Sequence, residues 1–365
     1  MILNDLNELT ISAPGRICLF GEHQDYLGLP VITAAINLRI SIHGSPRNDR
    51  KFVLSMPDIG DEEIIDPAMP VLYDKERDYF KSSLNVLKRH GVKFNNGYDC
   101  TITGNIPINS GTSSSSALIV AWIKFLLTVA SDSRVNDPYN IARLAHEAEV
   151  LEFNEPGGMM DHFACSFGSI LYIDFSKPDG YEPVNTKPGK FVLGDSMQPK
   201  DTKGILHRVK DGTLNALSLL QRKDQHVNIH TIDLKLLERF KKLLNSDQYN
   251  LLFANINNRE FTQQARAELS KDTIDHEKLG QLLNLHQTEL RERLKISTPK
   301  IDNMIDMAQK AGALGAKING SGGGGCMFAY APDTYEQVAG AILKAGGRPY
   351  IIDVGRGVSV DKLQQ

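Results

Sequence analysis

A long apolar helix directly after a serine-rich loop constrains this chain more than any other feature of its sequence. The apolar run over residues 117–130 is interrupted by Lys124 and is too short to cross a bilayer. It therefore predicts a helix buried inside a globular protein. A strand is predicted over residues 98–107, so the chain passes from strand to small residues to buried helix within one short segment.

Strands and helices are mixed along the rest of the sequence. Short strands are predicted over residues 9–14, 35–44 and 168–175, whereas most of residues 204–312 has the apolar spacing of helices. This distribution predicts an α+β fold rather than a regular βαβ alternation.

A segment rich in proline and glycine, residues 176–190, separates the two halves of the chain. Such a segment predicts a domain boundary. We therefore expect one domain over residues 1–185 and a second over residues 186–365.

Composition and charge exclude several classes of protein. The 41 Lys and Arg residues and 44 Asp and Glu residues give a net charge of −3, which argues against a broad basic surface for nucleic acid or anionic lipid. The four cysteines form no CxxC pair, so buried reduced thiols are expected rather than disulfides or a zinc site. The N-terminal segment lacks the basic region of a secretory signal, which favours a cytoplasmic protein.

The loop and helix start within residues 107–121 form the first candidate site. Helix N-termini present unpaired backbone N–H groups and the positive end of the helix dipole, and both hold phosphate. Gly111 allows close approach, and the neighbouring serine hydroxyls can bind phosphate oxygens or a magnesium ion. There is no Walker A pattern, and the alternative interpretation is a helix N-cap within a flexible serine linker.

The glycine-rich segment 318–330 is the second candidate. Five of the six positions from Gly320 to Gly325 are glycine, which is costly in an ordered chain. The cost is understandable where backbone wraps a ligand or packs closely against another element. A glycine-rich hairpin turn is the alternative.

Polar residues gather in two further segments. In residues 154–163, Asp161 follows a Pro-Gly-Gly turn among apolar neighbours, and it needs a partner or a function unless it only caps a helix. Residues 12–32 hold a dense set of donors and acceptors that suits vicinal hydroxyls, or alternatively a polar surface turn: Arg16, Glu22, His23, Asp25 and Tyr26.

The order of these motifs resembles that of the GHMP kinase superfamily (galacto-, homoserine, mevalonate and phosphomevalonate kinases) over nearly the whole chain. The chain carries A-P-G-R and G-E-H-x-D-Y near its start, P-x-x-S-G-x-S-S-S near residue 110 and G-x-G-G-G-G-C near residue 325. The resemblance implies an N-terminal α+β domain with a left-handed βαβ unit and a ferredoxin-like C-terminal domain with helical additions. It also implies an active site in the cleft between them.

The resemblance implies ATP as co-substrate, with its phosphates on the serine loop and the glycine motif in support. The implied ATP-binding residues are Ser110, Gly111, Thr112, Ser113, Ser114, Ser115, Ser116, Gly322 and Gly323.

Magnesium and the catalytic pair follow from the same resemblance. Mg²⁺ is implied at Ser115 and Glu149, with Glu152 as a rival to Glu149 and a solvated helix face as the alternative. Asp161 is implied as the catalytic aspartate, which either takes the proton of the acceptor hydroxyl or only orients that hydroxyl. Arg16 is implied to assist it by keeping the carboxylate ionised.

The substrate side resembles galactokinases in its G-E-H-x-D-Y motif and in G-G-M-M-D, which is similar to the galactokinase G-I-M-D. The implied reaction transfers the γ-phosphoryl group of ATP to the anomeric hydroxyl of a monosaccharide, with galactose as the leading acceptor. The residues implied to bind the sugar are Glu22, His23, Asp25, Tyr26 and Gly158.

Several positions depart from the galactokinase pattern. Gln24 stands where threonine is usual, His162 stands where glutamine is usual, and the glycine motif is more similar to mevalonate or heptose kinases. The segment after the boundary also lacks the tyrosine of a Y-N-x-R-R motif.

The alternatives are therefore a mevalonate, heptose or other monosaccharide kinase, and a non-catalytic sensor of sugar and ATP. Retention of Arg16 and Asp161 disfavours the sensor, and G-E-H-x-D-Y disfavours a decarboxylase of the superfamily.

The expected partners are a small sugar and ATP, with no nucleic acid and no membrane. The protein is expected to be a monomer or a homodimer.

Overall fold

The structure is a computed structural model that describes residues 8–108, 110–177, 179–199 and 202–364. Parts of some predicted segments lie outside these ranges, namely residues 1–7, Asn109, Pro178, residues 200–201 and Gln365. The described residues form the expected α+β fold, with two sheets and helices packed against both.

The described strands are β1 (Glu8–Phe20), β2 (Val31–Pro46), β3 (Phe52–Met56), β4 (Asp61–Ile65), β5 (Tyr98–Gly104), β6 (Ile170–Ile173), β7 (Tyr181–Val184), β8 (Phe191–Asp195), β9 (Gly315–Ile318), β10 (Cys326–Tyr330), β11 (Arg348–Ile352) and β12 (Ser359–Gln364). The described α-helices are α1 (Tyr79–Arg89), α2 (Ser114–Val129), α3 (Pro138–His146), α4 (Met160–Phe167), α5 (Thr202–Gln221), α6 (Leu234–Arg239), α7 (Ser246–Leu269), α8 (His276–Thr288), α9 (Pro299–Lys310) and α10 (Tyr335–Lys344). Two π-helical turns continue α3 and α8, over Glu147–Leu151 and Glu289–Arg293.

The first sheet has the strand order β12-β1-β2-β5-β3-β4; β6 also pairs with β2, and β7 pairs with β6. Its one parallel pair among the described strands is β3–β5, and α1 lies in the connection between these strands. The C-terminal strand β12 returns to pair with β1, so residues from both ends of the chain share this sheet. The domain boundary between residues 185 and 186 stays a prediction.

The second sheet is antiparallel, with the order β11-β8-β10-β9. Helices α9 and α10 pack on one face of it. The other face shares a core with β1 and β2 of the first sheet and with α7 and α8. Because this shared core joins the two sheets, the motifs of the first sheet and the glycine-rich segment of the second come together at one place.

The apolar helix predicted after the serine loop is α2, and it is buried as expected. Trp122 is fully buried, and its Nε1 donates a hydrogen bond to the Phe80 carbonyl at 3.2 Å. Lys124, the one charged residue of the run, directs its ammonium to the Val135 carbonyl. The four cysteines are free and buried, in agreement with the prediction.

Several element bounds differ from the expected ones. The first strand continues through Phe20, because its apolar residues beyond the Pro-Gly pair also pair with β2. The helix expected over residues 74–91 begins only at Tyr79. Strand β7 forms inside the segment predicted as a boundary, where it pairs with β6.

The 24-residue helix α7 buries polar as well as apolar side chains. It buries Asn255, Asn258, Arg259 and Thr262 besides its apolar residues. The Arg259 guanidinium donates to the carbonyls of Ile229 and Ile232 at 2.7 and 2.9 Å, so polar contacts replace part of the usual apolar stripe. In the part of the chain that is described, no helix has both the length and the apolar character that crossing a membrane requires.

Candidate active site

One cleft gathers residues from all four predicted segments. It opens beside the start of α2 and is bounded by the first motif, the turn before α4, α5 and the beginning of the glycine motif. The predicted site residues that line it are Arg16, Glu22, His23, Asp25, Tyr26, Ser110, Gly111, Ser113, Ser114, Ser115, Ser116, Glu149, Gly158 and Asp161.

The serine loop turns sharply into α2 at Ser113, which has a φ of 60° in the left-handed region. The Ser110 hydroxyl donates to the Pro107 carbonyl at 2.6 Å and lies 3.0 Å from the Thr112 hydroxyl. These two hydroxyls therefore hold the turn itself, and Thr112 does not line the cleft. Ser114, Ser115 and Ser116 form the first turn of α2, where backbone N–H groups lack helical partners.

Arg16 and Asp161, which lie far apart in the sequence, form a bidentate ion pair. The Arg16 Nε and Nη2 atoms donate to the two Asp161 carboxylate oxygens at 2.8 and 2.9 Å. The guanidinium also donates to the Gly111 carbonyl, and the Arg16 backbone N–H donates to the Thr112 carbonyl at 3.1 Å. The arginine therefore joins the carboxylate to the serine loop.

The surroundings of Asp161 favour its ionised form. Burial opposes ionisation, but the charge and hydrogen bonds of Arg16, with help from the nearby Ser113 hydroxyl, lower the pKa of Asp161 below its usual value. The Asp161 side chain is 29% exposed, whereas that of Arg16 is 5% exposed. The carboxylate can therefore reach a ligand in the cleft, while the guanidinium is shielded behind it.

Asp25 lies against the turn that carries Asp161. A Cβ atom at Gly158 would lie 2.0 Å from the Asp25 Oδ2 atom, so a residue larger than glycine would displace this carboxylate. Burial and the charge of Asp161 raise the pKa of Asp25 to about 6, against hydrogen bonds from the backbone of Tyr26 and Met160. Two carboxyl groups thus share the substrate end of the cleft.

The other residues of the first motif take different positions. Glu22 is buried beside the cleft and forms an ion pair with Lys317 of β9. The His23 ring contacts the Tyr26 hydroxyl at 2.8 Å and the Ser321 carbonyl at 3.0 Å. Gln24 points away from the cleft and donates to the Asn255 carbonyl at 2.8 Å, so this departure from the galactokinase pattern anchors the motif to α7.

Glu149 lies in the π-helical turn after α3 and lines the cleft. Its Oε2 atom is 2.7 Å from the His162 Nε2 atom, so His162 orients this carboxylate. Glu152, the rival ligand, does not line the cleft, because it pairs with Arg89 and the Tyr73 hydroxyl. Of the two glutamates, Glu149 is the one that can reach a ligand there.

The glycine motif packs directly behind the serine loop. A Cβ atom at Gly325, which has a φ of 72°, would lie 2.5 Å from the Ser110 carbonyl oxygen. The Asn319 side chain donates to the Gly111 carbonyl at 2.8 Å and accepts a hydrogen bond from the Cys18 backbone. Gly322 and Gly323 pack on Ile296 rather than lining the cleft, so their contact with ATP stays a prediction.

The sequence interpretation missed several residues of the cleft. Arg77 and Tyr79 approach from the segment before α1, and the Arg77 guanidinium forms an ion pair with Glu155 at 3.0 Å. Leu206 contributes an apolar side chain from α5. Arg77 has a positive φ that its neighbours in the sequence do not indicate, and Leu206 lies outside the four motif segments. No sequence pattern therefore marks either residue as part of the site.

A separate acidic group, Glu63, Asp74 and Asp78, has oxygen atoms close enough for a metal ion. However, the Lys81 ammonium lies between them and forms ion pairs with all three, at 3.3, 2.7 and 3.2 Å. A lysine thus already compensates this cluster, which lies outside the cleft.

Comparisons with known proteins identify the family of this chain. Sequence profiles described as GHMP kinases N terminal domain and GHMP kinases C terminal match residues 78–169 and 265–348. A profile described as the galactokinase galactose-binding signature matches residues 4–46. Relatives include a mevalonate kinase of Thermococcus gammatolerans, 29% identical over 94% of this chain and 96% of the relative. A galactokinase of Ligilactobacillus salivarius is 28% identical over 98% and 97%.

Solved structures share the fold. Lactococcus lactis galactokinase complexed with galactose superposes with a TM-score of 0.84 at 23% identity, covering 96% of this chain and 95% of that one. Methanococcus jannaschii mevalonate kinase gives a TM-score of 0.72 at 18% identity, covering 97% and 100%. With these matches and the convergence of its three motifs on one cleft, the chain belongs to the GHMP kinase family, whose kinases are ATP-dependent phosphotransferases.

Proposed function

We propose that this protein is a galactokinase-like sugar kinase that transfers the γ-phosphoryl group of ATP to the anomeric hydroxyl of a monosaccharide, most readily galactose. The observation that carries the proposal is the bidentate Arg16–Asp161 pair, held at the mouth of the serine loop. It supplies an ionised carboxylate and a fixed positive charge at one point of the cleft. A phosphoryl transfer needs both groups beside the acceptor hydroxyl.

The start of α2 is the proposed seat of the ATP phosphates. Backbone N–H groups of the first helical turn and the hydroxyls of Ser113, Ser114 and Ser115 can donate to phosphate oxygens. Arg16 adds positive charge next to the Gly111 carbonyl. Charge that develops on the transferred group would therefore meet preorganised donors at this end of the cleft.

Ser115 and Glu149 are the proposed holders of magnesium. A hydroxyl and a carboxylate suit this ion, which takes hard oxygen ligands and usually only one or two carboxylates from the protein. When bound with ATP, magnesium neutralises charge on the phosphate oxygens. His162 would hold the Glu149 carboxylate in one orientation.

Asp161 is the proposed catalytic residue at the acceptor side. Its ionised carboxylate can accept a hydrogen bond from the anomeric hydroxyl and align the hydroxyl oxygen with the γ-phosphorus. It can receive the hydroxyl proton as the new O–P bond forms, while the bond from the γ-phosphorus to the bridging oxygen breaks and ADP leaves. The lowered pKa keeps this group charged at neutral pH. A modest basicity suits a loose transition state, in which the hydroxyl loses its proton late.

The charges of the cleft favour a neutral polyol over a carboxylic acid. Glu22, Asp25 and Asp161 supply carboxylate groups at the substrate end. Among the described lining residues, the cationic side chains are Arg16 and Arg77, and each is paired with a carboxylate. Sugar hydroxyls can donate to carboxylates, whereas an acceptor with its own carboxylate would be repelled.

Mevalonate phosphorylation is the second candidate, because relatives that carry the name mevalonate kinase align over nearly the full chain. Lys210 is the residue that could serve such a substrate. Its ammonium donates to the Pro156 carbonyl at 3.2 Å and lies 5.5 Å from the centre of the Tyr26 ring. A cytoplasmic monomer or homodimer stays the expectation for either function.

A coupled assay with Mg-ATP tests the proposal directly. The panel comprises galactose, N-acetylgalactosamine, arabinose, glucuronate, a heptose and mevalonate, with ADP release followed through NADH loss. We expect turnover with galactose, and NMR of the product should show phosphorus coupled to the anomeric proton. Turnover with mevalonate alone would replace the proposal by the second candidate, and sugar binding without any turnover would favour a sensor.

A further inference from the structure

Asn319 joins three parts of the wall around the cleft. It directly follows strand β9 and is 1% exposed. Its side-chain nitrogen donates to the Gly111 carbonyl of the serine loop at 2.8 Å, and its side-chain oxygen accepts from the Cys18 backbone N–H of β1 at 2.8 Å. A carbonyl only accepts and a backbone N–H only donates, so these partners fix the orientation of the amide. One buried, uncharged side chain therefore connects β9, β1 and the serine loop.

Three successive carbonyls of the serine loop are held by such donors. The Ser110 carbonyl accepts from the Cys326 N–H at 2.6 Å, and the Thr112 carbonyl accepts from the Arg16 N–H at 3.1 Å. Between them, the Gly111 carbonyl accepts from both the Asn319 amide and the Arg16 guanidinium. The donors belong to β1, to β10 and to the residue after β9, so the loop turns these oxygens toward the two sheets.

The N–H groups of the same peptides are left for a ligand. In a planar trans peptide, the N–H points opposite to the carbonyl of the preceding residue. The N–H groups of Gly111, Thr112 and Ser113 therefore point away from those donors, and none of the described residues accepts a hydrogen bond from them. Successive N–H groups of this kind form a concave site for an anion, and both Gly111 and Ser113 line the cleft.

The peptide between Gly111 and Thr112 is able to turn over, because Gly111 has a φ of 87° and no side chain that restricts it. A turned peptide would exchange the positions of the Gly111 carbonyl oxygen and the Thr112 N–H. An oxygen in place of the N–H would repel a phosphate, whose own oxygens carry negative charge. The Asn319 amide opposes this change without adding charge, whereas the Arg16 guanidinium is shared with Asp161.

We propose that Asn319 is a positioning residue for phosphoryl transfer, which holds the Gly111 carbonyl so that the backbone N–H groups of the serine loop stay turned toward the nucleotide phosphates. The inference rests on the proposed function for the position of those phosphates at the start of α2. Its consequence is selective. The affinity for the phosphates of a nucleotide depends on Asn319, whereas the affinity for the nucleoside alone does not.

Two substitutions of Asn319 test this role. Asn319→Leu keeps the approximate size of the side chain but removes both hydrogen bonds, whereas Asn319→Ser keeps a hydroxyl that can donate. Asn284→Leu is the matched control, because the Asn284 side chain also bridges backbone groups beside β9 but lies outside the cleft lining. It donates to the Leu314 carbonyl at 3.0 Å and accepts from the Ala316 N–H at 3.0 Å.

Isothermal titration calorimetry with ADP and with adenosine measures the two affinities, and steady-state kinetics and thermal unfolding are recorded in parallel. We expect Asn319→Leu to raise the dissociation constant of ADP and the KM for ATP about tenfold, the upper end for one lost hydrogen bond. The dissociation constant of adenosine and the KM for galactose should change by less than about twofold, the scale for independent sites. Asn319→Ser should recover part of the ADP affinity, and Asn284→Leu should lower the unfolding temperature while it keeps the ADP affinity.

The inference is overturned if Asn319→Leu binds ADP as the wild type does. It is also overturned if the ADP and adenosine affinities fall together, or if Asn284→Leu loses as much ADP affinity, because a general disturbance of the fold would have either effect. Should Asn319→Leu not fold, Asn319→Ser must still weaken ADP binding at unchanged adenosine affinity, and an unchanged ADP affinity then counts against the inference.

The same measurements separate this inference from the proposed function. Wild-type protein that binds ADP but phosphorylates no acceptor of the panel would refute the proposed function, and the ADP and adenosine affinities of the variants would still decide the role of Asn319. An active wild type whose Asn319 variants keep the ADP affinity refutes this inference alone.

Discussion

Two ion pairs lie at the substrate end of the cleft and use the same chemistry in different ways. In one, the Arg16 guanidinium binds both oxygens of Asp161, whose side chain remains 29% exposed. In the other, the Lys317 ammonium binds one oxygen of Glu22, and both side chains are buried. The first pair presents a carboxylate to the cleft surface, whereas the second lies inside the wall of the cleft.

The difference shows that charge pairing alone does not distinguish a reacting group from a supporting one. Both pairs carry the desolvation cost of buried ions, and neither is a simple gain in stability. What separates them is exposure, because the Asp161 side chain reaches the cleft and the Glu22 side chain is almost fully buried. The planar guanidinium of Arg16 binds both oxygens of its carboxylate and so fixes the carboxylate's orientation, whereas the compact Lys317 ammonium binds only one oxygen of Glu22.

The largest predicted effect is on the exposed pair, that is, the Arg16–Asp161 pair with its partly exposed carboxylate. Asp161→Asn removes the negative charge and the proton acceptor but keeps the shape of the side chain, so kcat should fall at least about a hundredfold. The KM for ATP should stay near the wild-type value, because the ATP phosphates are expected at the start of α2. Steady-state kinetics with galactose and ATP measure both quantities. Retained turnover would mean that Asp161 serves only as the ion-pair partner of Arg16.

A smaller effect is predicted for Arg16→Met. Without the guanidinium, burial is no longer offset by a neighbouring positive charge, so the pKa of Asp161 rises. Because the active form is ionised, the acidic limb of the kcat/KM profile should move to higher pH, and kcat at neutral pH should fall about tenfold or more. Arg16→Lys is the control, since it keeps the charge and should move the limb less. If the acidic limb of the kcat/KM profile does not move, the ionisation of Asp161 does not determine the pH dependence of the reaction.

The chemistry of the exposed pair was predictable from the sequence, and the buried pair was not. Arg16, Asp161 and the serine loop belong to motifs whose order carries the resemblance, and the structure brings them into one cleft. Lys317 precedes the glycine motif as one lysine in a short apolar strand, and nothing in its neighbours indicates an ion pair with a residue near the N-terminus. A contact between such distant residues depends on the packing of two sheets, which periodicity does not record.

The fold likewise contains elements that local sequence patterns predict and contacts between distant residues that they do not. The apolar spacing predicted α2, and the proline and glycine content predicted a break before β8. The pairing of β12 with β1 depends on a register between the two ends of the chain, and no local pattern indicates it. In α7, the buried Arg259 likewise donates to the remote carbonyls of Ile229 and Ile232, and the Asn255 carbonyl accepts a hydrogen bond from Gln24. Apolar spacing indicates neither contact.

The smallest predicted effect concerns Asp25, the carboxyl group beside the exposed pair. Burial and the charge of Asp161 raise the pKa of Asp25 from an ordinary value near 3.8 to about 6. Protonation of Asp25 therefore stabilises the folded state. This stabilisation is fully present below about pH 3.8 and is lost as the pH rises through about 6. At pH 7.5 the ionised group therefore destabilises the fold, and Asp25→Asn should stabilise it by about 1–2 kcal/mol.

Thermal unfolding at pH 7.5 and pH 5 measures this contribution, and the advantage of Asp25→Asn should shrink at the lower pH because the wild-type carboxyl is then largely protonated. Asp353→Asn, at the surface pair with Lys190, is the control and should change stability by less than about 1 kcal/mol. The same Asp25→Asn variant should bind galactose less well, since it loses a charged acceptor. If it were less stable than wild type at pH 7.5, Asp25 would be held by favourable contacts like those of Asp161, and the contrast would then lie between Glu22 and both aspartates.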